Sequence, residues 1–365
     1  MKIRKLDPVK GAHSDFFSLT ARVYAADPFF IRSPQETEVK ALFDPAYAGR
    51  QAAFIVEQDG CVQARCVARL ADAPEMGSIG FFEAFNDREA SRHVLMAAED
   101  WLRSRGVKRV LGPMDGDTWH RYRFAVEPLQ AAPFLKEPWN PPYYPALWEA
   151  CGYTVVDRYL STRIANPVEA AANLAPYQRR IRRQGYSLRP LDASRLTDEL
   201  TLMHRLSVQI FAGNRHYTPI PLDSFLHLYD GIGPLLVPGL CQFCCAPDGN
   251  LAGFVFCYPD YADAVRAMRG RRDWLAKGRF LWGRRRATRV CIKSLGCLPA
   301  YRGTGVGPAL MGLAFEQTVA RGYGEALMCL MHEVNDSRRL DGGTSEPFRQ
   351  YVLFEKSLGG AEGEL

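Results

Sequence analysis

The sequence predicts an α/β protein made of two related units in tandem, over about residues 1–165 and 166–365. The first observation is a pair of similar hairpins, which turn at Asp59-Gly60 and at Asp248-Gly249. Each hairpin is later followed by a strand, a long helix and a strand, and this order indicates an internal repeat. The second observation is size. At 365 residues, with 47% hydrophobic residues, the chain is too long for one typical core and long enough for two.

The first unit is predicted from its periodicity. Leu95, Ala98, Trp101 and Leu102 recur at helical spacing and define one apolar face. The segments around that helix are short and rich in strand formers. The predicted hairpin, strand, helix and strand lie at residues 54–67, 77–85, 89–105 and 108–112.

The second unit repeats this order with a different turn. Leu310, Leu313 and Ala314 follow helical spacing, and Arg321-Gly322 supplies a basic last turn and a glycine stop. The segments before and after this helix read as buried strands. The predicted hairpin, first strand and second strand lie at residues 240–255, 288–298 and 325–335.

A glycine-rich turn joins the first of these strands to the helix. Gly303, Gly305 and Gly307 let the backbone take positive φ and bring amide N–H groups close to an anion. The helix that follows adds its free first-turn donors and the positive end of its dipole. A Walker loop is excluded because Pro308-Ala309 follows Gly307, and the glycine spacing differs from a dinucleotide fingerprint. The turn therefore predicts a pyrophosphate site of another kind.

Arg302, Gly305 and Gly307 form the pattern Arg-x-x-Gly-x-Gly. This pattern, between a strand and a helix, resembles the acyl-CoA pyrophosphate loop of the GCN5-related N-acetyltransferase (GNAT) superfamily. The resemblance implies two GNAT-like domains, each a mixed, mostly antiparallel twisted sheet flanked by helices, with acetyl-CoA or another acyl-CoA held in the opening between two strands of the second domain. The cofactor-binding residues it implies are Leu298, Arg302, Gly303, Thr304, Gly305, Val306 and Gly307.

The corresponding turn of the first unit, residues 85–90, has no glycine and carries two acids. Asn86 or Asp87 is better interpreted there as a helix N-cap than as part of a phosphate loop. We therefore expect a degenerate first domain, which serves as a scaffold or as a wall of the acceptor pocket. Further segments resemble a group of uncharacterised bacterial tandem acetyltransferase-like proteins, at residues 112–119, 139–144, 151–156, 258–261 and 351–358. One departure is the polar, glycine-rich stretch 336–347, so we expect the fourth helix that the superfamily normally has there to be short or frayed.

The chemistry that the resemblance implies is direct acyl transfer from a thioester to an amine, without a metal. Because an ammonium cannot attack, the acceptor needs a base, for which Glu333 and His332 are the candidates at the end of the strand after the loop. Tyr351 is the candidate acid for the departing thiolate. Each has a structural alternative, as a solvated strand end or as packing in the last strand. Asn335 and Ser337 are either pantetheine contacts or helix caps.

A basic insert is predicted at about residues 262–287, where many arginines are interleaved with Trp274, Phe280, Leu281 and Trp282. The similar group has such an insert, so we expect an excursion near the active site that forms a lid or an acceptor wall. Contact with anionic lipid or nucleic acid, and a simply solvated insert, are the alternatives. Nucleic-acid binding is not expected, because no recognition motif accompanies the charge.

Composition bears on cellular location and on metal binding. No run of about eighteen apolar residues and no signal-peptide core is present, which predicts a soluble cytoplasmic protein without stable membrane insertion. The ten cysteines are interpreted as reduced core residues. Cys241 and Cys244 form one Cys-x-x-Cys pair without a second pair, so no metal site is expected.

Three functions remain open. The first is an acyl-CoA-dependent N-acyltransferase, with acetyl-CoA as the expected donor, that acts on a small amine or amino-acid-like acceptor. The second is a non-catalytic acyl-CoA sensor, and the third is an aminoacyl-tRNA-dependent transferase of the related tandem fold. The glycine loop favours the first two, because charged tRNA needs no CoA pyrophosphate site. The sequence does not predict the oligomeric state.

Overall fold

The two predicted hairpins form as expected. A computed structural model describes residues 1–6, 14–32, 42 and 48–359. The strands, in chain order, are Lys2–Leu6 (β1), Gln51–Gln58 (β2), Cys61–Leu70 (β3), Met76–Ala84 (β4), Arg109–Gly112 (β5), Phe124–Ala125 (β6), Thr154–Ile164 (β7), Ser187–Pro190 (β8), Gln242–Cys245 (β9), Leu251–Pro259 (β10), Arg289–Cys297 (β11), Glu325–His332 (β12) and Ser345–Ser357 (β13). The predicted hairpins are the antiparallel pairs β2/β3 and β9/β10.

The helices pack on these strands. They are Ser14–Val23 (α1), Arg88–Arg103 (α2), Tyr144–Glu149 (α3), Pro167–Arg183 (α4), Leu196–Ile210 (α5), Leu222–Leu228 (α6), Ala262–Ala267 (α7), Trp274–Gly283 (α8) and Val306–Ala320 (α9). The predicted helix 89–105 corresponds to α2, and the predicted strand 325–335 ends earlier, at His332. After it, Asn335 caps a short 3-10 helix, Asp336–Leu340, which stands where the superfamily's fourth helix was expected to be short.

The chain divides into two units. The first unit comprises Met1–Arg158, Ala264–Leu281 and Gln350–Leu365, and the second comprises Tyr159–Asp263 and Trp282–Arg349. These units differ in detail from the predicted domains 1–165 and 166–365, because part of the basic insert and most of β13 group with the first unit. The division into domains at residue 165 stays a prediction.

The first unit orders its strands β1, β2, β3, β4, β5, β13, and β6 also pairs with β13. Among the strands described in this unit, only β4 and β5 pair in parallel, as the strands of a βαβ unit do. Its main core lies between α2 and β2 to β4 and contains Leu95, Ala98, Trp101 and Leu102, the predicted helix face. Phe82, Phe124, Tyr144 and Trp148 pack edge to face in the same core. A smaller cluster joins α1 to β2 and β3.

The second unit orders its strands β7, β12, β11, β10, β9, β8, and only β11 and β12 run parallel. Its core includes Val306, Leu310 and Ala314 of α9, with Leu174 and Ile181 of α4. A glycine permits the close approach of these two helices, since a Cβ at Gly312 would lie 2.8 Å from the Cβ of Leu174. Both units are therefore mixed, mostly antiparallel sheets flanked by helices, as predicted.

Candidate active site

The glycine-rich turn follows β11 and leads directly into α9. A 3-10 turn, Pro299–Tyr301, starts it, and its carbonyls accept hydrogen bonds from within the turn. Gly303 has a φ of 77° and Gly305 a φ of 102°, conformations that side chains with a Cβ rarely adopt. Thr304 closes the turn, because its hydroxyl donates to the Tyr301 carbonyl at 2.7 Å. The glycines are thus required by the backbone at two of the three predicted positions.

The first turn of α9 has no capping side chain. Gly305 occupies the N-cap position, and the helix starts at Val306. The bond from the Ala309 amide to the Gly305 carbonyl, at 3.0 Å, is the first that α9 can make within itself. The N–H groups of Val306 and Gly307 precede that bond, and Pro308 has no N–H. Two amides and the helix dipole therefore meet at a point that no carboxylate or hydroxyl of the helix cap fills.

Arg302 is exposed and lies at the edge of this turn. One of its Nη2 donors binds the carbonyl of Ile210, at the end of α5, at 3.2 Å. Since a guanidinium carries five N–H donors, this contact orients the side chain and leaves donors for an anion. The structure thus gives Arg302 a loop-anchoring contact that the sequence did not predict.

The parallel strands on either side of α9 separate beside the turn. Their pairing runs from Arg289 opposite Glu325 to Ile292 opposite Met328. Farther on, β11 keeps pairing with β10 as far as Cys297, and β12 keeps pairing with β7 as far as His332. Each strand follows its outer neighbour, so an opening forms between their ends.

Lys293 lies where this opening starts, and sequence reasoning missed it. The β10/β11 register shifts there, because Ile292 pairs with Cys257 and Ser294 with Phe256, which leaves Lys293 as the extra residue of a bulge. Its Nζ lies 5.2 Å from the centre of the Tyr229 ring. The signal in the sequence was a single lysine within the otherwise uncharged run Val290 to Cys297.

The environment of Lys293 is that of a cleft wall. Desolvation lowers the pKa of Lys293 below the usual value of a lysine, and an ionised Cys329 would oppose that shift. The side chain nevertheless keeps substantial contact with solvent. A side chain that water reaches but that protein atoms surround fits the edge of an opening rather than a flat surface. Among the described residues, no carboxylate pairs with Lys293.

The two predicted bases lie at the end of β12. The His332 ring packs against the edge of Tyr159, with ring centres 4.8 Å apart, and its Nδ1 accepts from the Val334 amide at 3.3 Å. In the neutral ring this contact assigns the proton to Nε2. Glu333 is exposed, and its main-chain carbonyl accepts from Arg338. Both side chains are accessible at the end of β12, and their catalytic roles remain predictions.

Asn335 and Ser337 follow directly. The Asn335 side chain accepts from the Ser337 amide at 3.0 Å, so it caps the 3-10 helix Asp336–Leu340. Leu340 of that helix lies beside the first turn of α9, where a Cβ at Gly307 would come within 3.7 Å of its Cδ1. The capping role is thus observed for Asn335, and the segment lies next to the glycine-rich turn. A pantetheine contact stays a prediction.

Tyr351, the predicted acid, lies in the first unit and is fully buried. Its hydroxyl donates to Glu137, which is also buried. This arrangement gives the Tyr351 proton an acceptor within the core. The observed contact is therefore structural, and the catalytic role is untested.

Comparison with known proteins agrees with this geometry. Residues 209–340, which contain β11, the glycine-rich turn, α9 and β12, match the family model of the GNAT acetyltransferase family. This match over part of the chain supports membership in the GCN5-related N-acetyltransferase superfamily. The match also supports an acyltransferase of the N-acetyltransferase type, and the fold implies an acyl-CoA cosubstrate and a small-molecule acceptor.

The similar proteins cover most of the chain. Protein YghO of Escherichia coli (strain K12) is 21% identical over 323 residues, which are 84% of this chain and 82% of the relative. A bacterial ceramide synthase of Caulobacter vibrioides is 25% identical over 284 residues, 73% of this chain and 72% of the relative. A tandem GNAT protein from the clavulanic acid biosynthesis pathway superposes with a TM-score of 0.56 at 14% identity and covers 99% of both chains. This last match supports the tandem fold.

The described residues contain neither a membrane-spanning helix nor a cluster of metal-binding side chains. Over residues 1–6, 14–32, 42 and 48–359, no helix is long and apolar enough to cross a bilayer. In the same part of the chain, no group of three or more His, Cys, Asp or Glu side chains is arranged to hold a metal ion. All ten cysteines are described as free thiols.

Proposed function

We propose that the second unit of this acyltransferase catalyses direct transfer of an acyl group from acyl-CoA to the nitrogen of a primary amine. The observation that carries the proposal is the conjunction of an uncapped α9 with the opening between β11 and β12. Val306 and Gly307 would donate their amides to the diphosphate, with Arg302 adding charge at the edge. The loop residues Leu298, Gly303, Thr304 and Gly305 would shape that site.

The residues of the opening would handle the proton of the amine. The bound thioester supplies the acyl group, and the acceptor must lose a proton before or during attack. His332 and Glu333 remain candidates for this step, and we add Lys293. Lys293 is favoured because it lies at the bulge where the strands separate and because desolvation lowers its pKa toward the neutral form that can accept a proton.

Acetyl is the simplest donor, and a small or amino-acid-like amine was the acceptor class expected from the sequence. The similarity to a bacterial ceramide synthase adds a second candidate. Ceramide is the amide of a long-chain amino alcohol, so a long-chain amine belongs beside the small amines, with long-chain acyl-CoA beside acetyl-CoA.

The test combines binding with turnover. Acyl-CoA thioesters of two, eight and sixteen carbons are titrated by calorimetry, and thiol release is then measured over a panel of small amines, amino acids and long-chain amino alcohols. Amine-dependent thiol release with a matching amide product supports the proposal. Binding without release to any amine would favour the sensor alternative. No binding at millimolar concentration, together with amide formation from aminoacyl-tRNA, would favour the tRNA-dependent alternative.

A further inference from the structure

The basic insert contains a helix whose apolar side chains face solvent. In α8, Trp274 is 78% exposed and Trp282 is 60% exposed. Leu275 and Leu281 of the same helix are about half exposed. Large apolar side chains that cluster in this way are unusual on the surface of a protein that has no partner.

These side chains form one stripe. At about 100° per residue, positions 274, 275, 278, 281 and 282 fall within roughly 120° of the helix circumference. Gly278, in the middle of the stripe, has open space beside it, because a Cβ there would meet nothing within 4 Å. Ala276, on the other side of the helix, is fully buried. The helix is therefore anchored by one face and presents a second apolar face outward.

The helix is also well formed at its start. The Asp273 carboxylate accepts from the Ala276 amide at 3.0 Å, and the Lys277 amide donates to the Asp273 carbonyl at 2.9 Å. Arg271 binds the same carboxylate at 2.6 Å. The one acid near the start of the helix is thus engaged in capping, which leaves the surroundings of the stripe basic.

Positive charge borders the stripe on both sides. Lys277 and Arg279 are exposed and lie on opposite edges of it by helical position. Exposed arginines continue the charge before and after the helix, at Arg271, Arg272, Arg285 and Arg286. An apolar stripe with exposed tryptophans and flanking basic residues is the pattern of a helix that lies in the plane of a membrane interface. With ten residues, α8 is far shorter than the roughly twenty that a spanning helix needs.

We propose that α8 docks the protein on the surface of a membrane that contains anionic lipid. Trp274, Leu275, Leu281 and Trp282 enter the head-group region, and Lys277 and Arg279 bind lipid phosphates. Charge complementarity selects the partner, because a second copy of this chain would present the same positive charge. The proposal goes beyond the acyl transfer proposed above and does not depend on it.

The experiment measures binding to vesicles. The full-length protein is sedimented with large unilamellar vesicles of phosphatidylcholine alone or of phosphatidylcholine with 30 mol% phosphatidylglycerol, and tryptophan emission is recorded in parallel. We expect binding to the anionic vesicles, a blue shift of the emission, and loss of most binding in 0.5 M NaCl.

Two variants separate the apolar and the electrostatic contributions. Trp274→Ser/Trp282→Ser and Lys277→Glu/Arg279→Glu should each weaken partitioning into anionic vesicles at least about tenfold. The matched control is Lys2→Glu/Lys5→Glu, which makes the same change of charge at exposed positions of β1 and should reduce binding by less than about twofold. Because all these side chains are exposed, the variants should unfold at the wild-type temperature.

Three results would overturn the proposal. The first is no binding to either vesicle by the wild-type protein. The second is equal loss of binding in the α8 charge variant and in the β1 control, which would indicate net charge rather than this surface. The third is a wild-type dimer in sedimentation velocity that Trp274→Ser/Trp282→Ser converts to monomer without any change in vesicle binding, which would make the stripe an interface between copies of the chain.

Discussion

The two units begin their central helices in opposite ways. In the first unit, Asp87 caps α2, and its carboxylate accepts from the amides of Glu89 and Ala90 at 2.8 and 3.0 Å. In the second unit, Gly305 stands at the same point of α9 and offers no side chain. A helix start that is already bound to its own carboxylate cannot bind a diphosphate as well. The same fold thus contains one helix start that its own side chain caps and one that no capping side chain fills.

The space between the parallel strands is likewise closed in the first unit and open in the second. After the β4/β5 pairing ends at Ser78 opposite Leu111, the chain of the first unit stays against β4, and the Met114 amide donates to the Ile79 carbonyl at 2.9 Å. The Asp115 carboxylate accepts from the Phe81 amide at 2.5 Å. In the second unit the Leu330 amide of β12 instead bonds to the outer neighbour β7, where it donates to the Ser161 hydroxyl at 2.9 Å.

A small pocket lies in the first unit beside this closed gap, and Asp115 and Arg121 are among its lining residues. Its charged walls satisfy each other, since Arg121 Nε lies 2.9 Å from Asp115 Oδ2 and its Nη1 lies 3.6 Å from the buried Glu83. If the second unit binds acyl-CoA as proposed, a capping acid and one strand continuation are the features that distinguish the first unit from it.

The largest expected effect comes from placing a carboxylate at the start of α9, as Asp87 does at the start of α2. Gly307→Glu places a carboxylate in the first turn of α9, at a position with ordinary helical φ. It should weaken acyl-CoA binding at least about 100-fold, because two hydrogen bonds to a charged group, each worth about 1.5 to 3 kcal/mol, are lost. Calorimetry measures the affinity.

The matched control is Gly324→Glu, beyond the other end of the same helix, where a Cβ would meet nothing within 4 Å. It should bind acyl-CoA within about twofold of wild type. Equal affinities for the two variants would place the diphosphate elsewhere. Gly305→Glu should also abolish binding, but its positive φ adds backbone strain, so a folding check must accompany it.

Lys293 tests the chemistry of the opening. If it accepts the proton, Lys293→Met and Lys293→Arg should both lower kcat about 10²- to 10⁴-fold and leave acyl-CoA affinity unchanged, since an arginine cannot deprotonate. The kcat of the wild type should rise with pH as Lys293 loses its proton, with a midpoint below the lysine's usual pKa of about 10.4. Tyr229 and Cys329 are the other titratable groups described beside it.

Two further results would discriminate among Lys293, His332 and Glu333 as the base. Recovery of activity by Lys293→Arg would indicate that Lys293 contributes charge rather than proton transfer. If His332→Gln or Glu333→Gln instead removes the pH dependence, the base lies at the end of β12.

Tyr351→Phe should mainly affect stability. Removing its hydroxyl leaves the buried Glu137 without that donor, so the free energy of unfolding should fall by about 1 to 3 kcal/mol. Denaturant titration measures this loss, and kcat should stay within about threefold of wild type. A loss of kcat by two orders of magnitude at unchanged stability would restore Tyr351 as the catalytic acid.

The smallest effect is expected at the cap of the first unit. Asp87→Ala should cost about 1 kcal/mol of unfolding free energy, because two amides lose their acceptor. Acyl-CoA stoichiometry should stay at one per chain, since the strand gap of the first unit is still closed. A second binding event in calorimetry would show that the cap alone kept the first unit inactive.

The sequence predicted the features that depend on local backbone rules. The glycine turn, the N-cap of α2, both hairpins and the short helix at 336–340 follow from residues adjacent in the chain. It did not predict Lys293, because a bulge depends on how β10 and β11 pair. Nor did it predict that Tyr351 groups with the first unit, because β13 passes from one unit to the other and no local pattern marks that point.

A crystal structure of the protein with CoA tests the central contrast most directly. The account predicts diphosphate density within hydrogen-bond distance of the Val306 and Gly307 amides, and Asp87 still bound to the start of α2. Diphosphate density in the first unit, with none at the start of α9, would contradict this account.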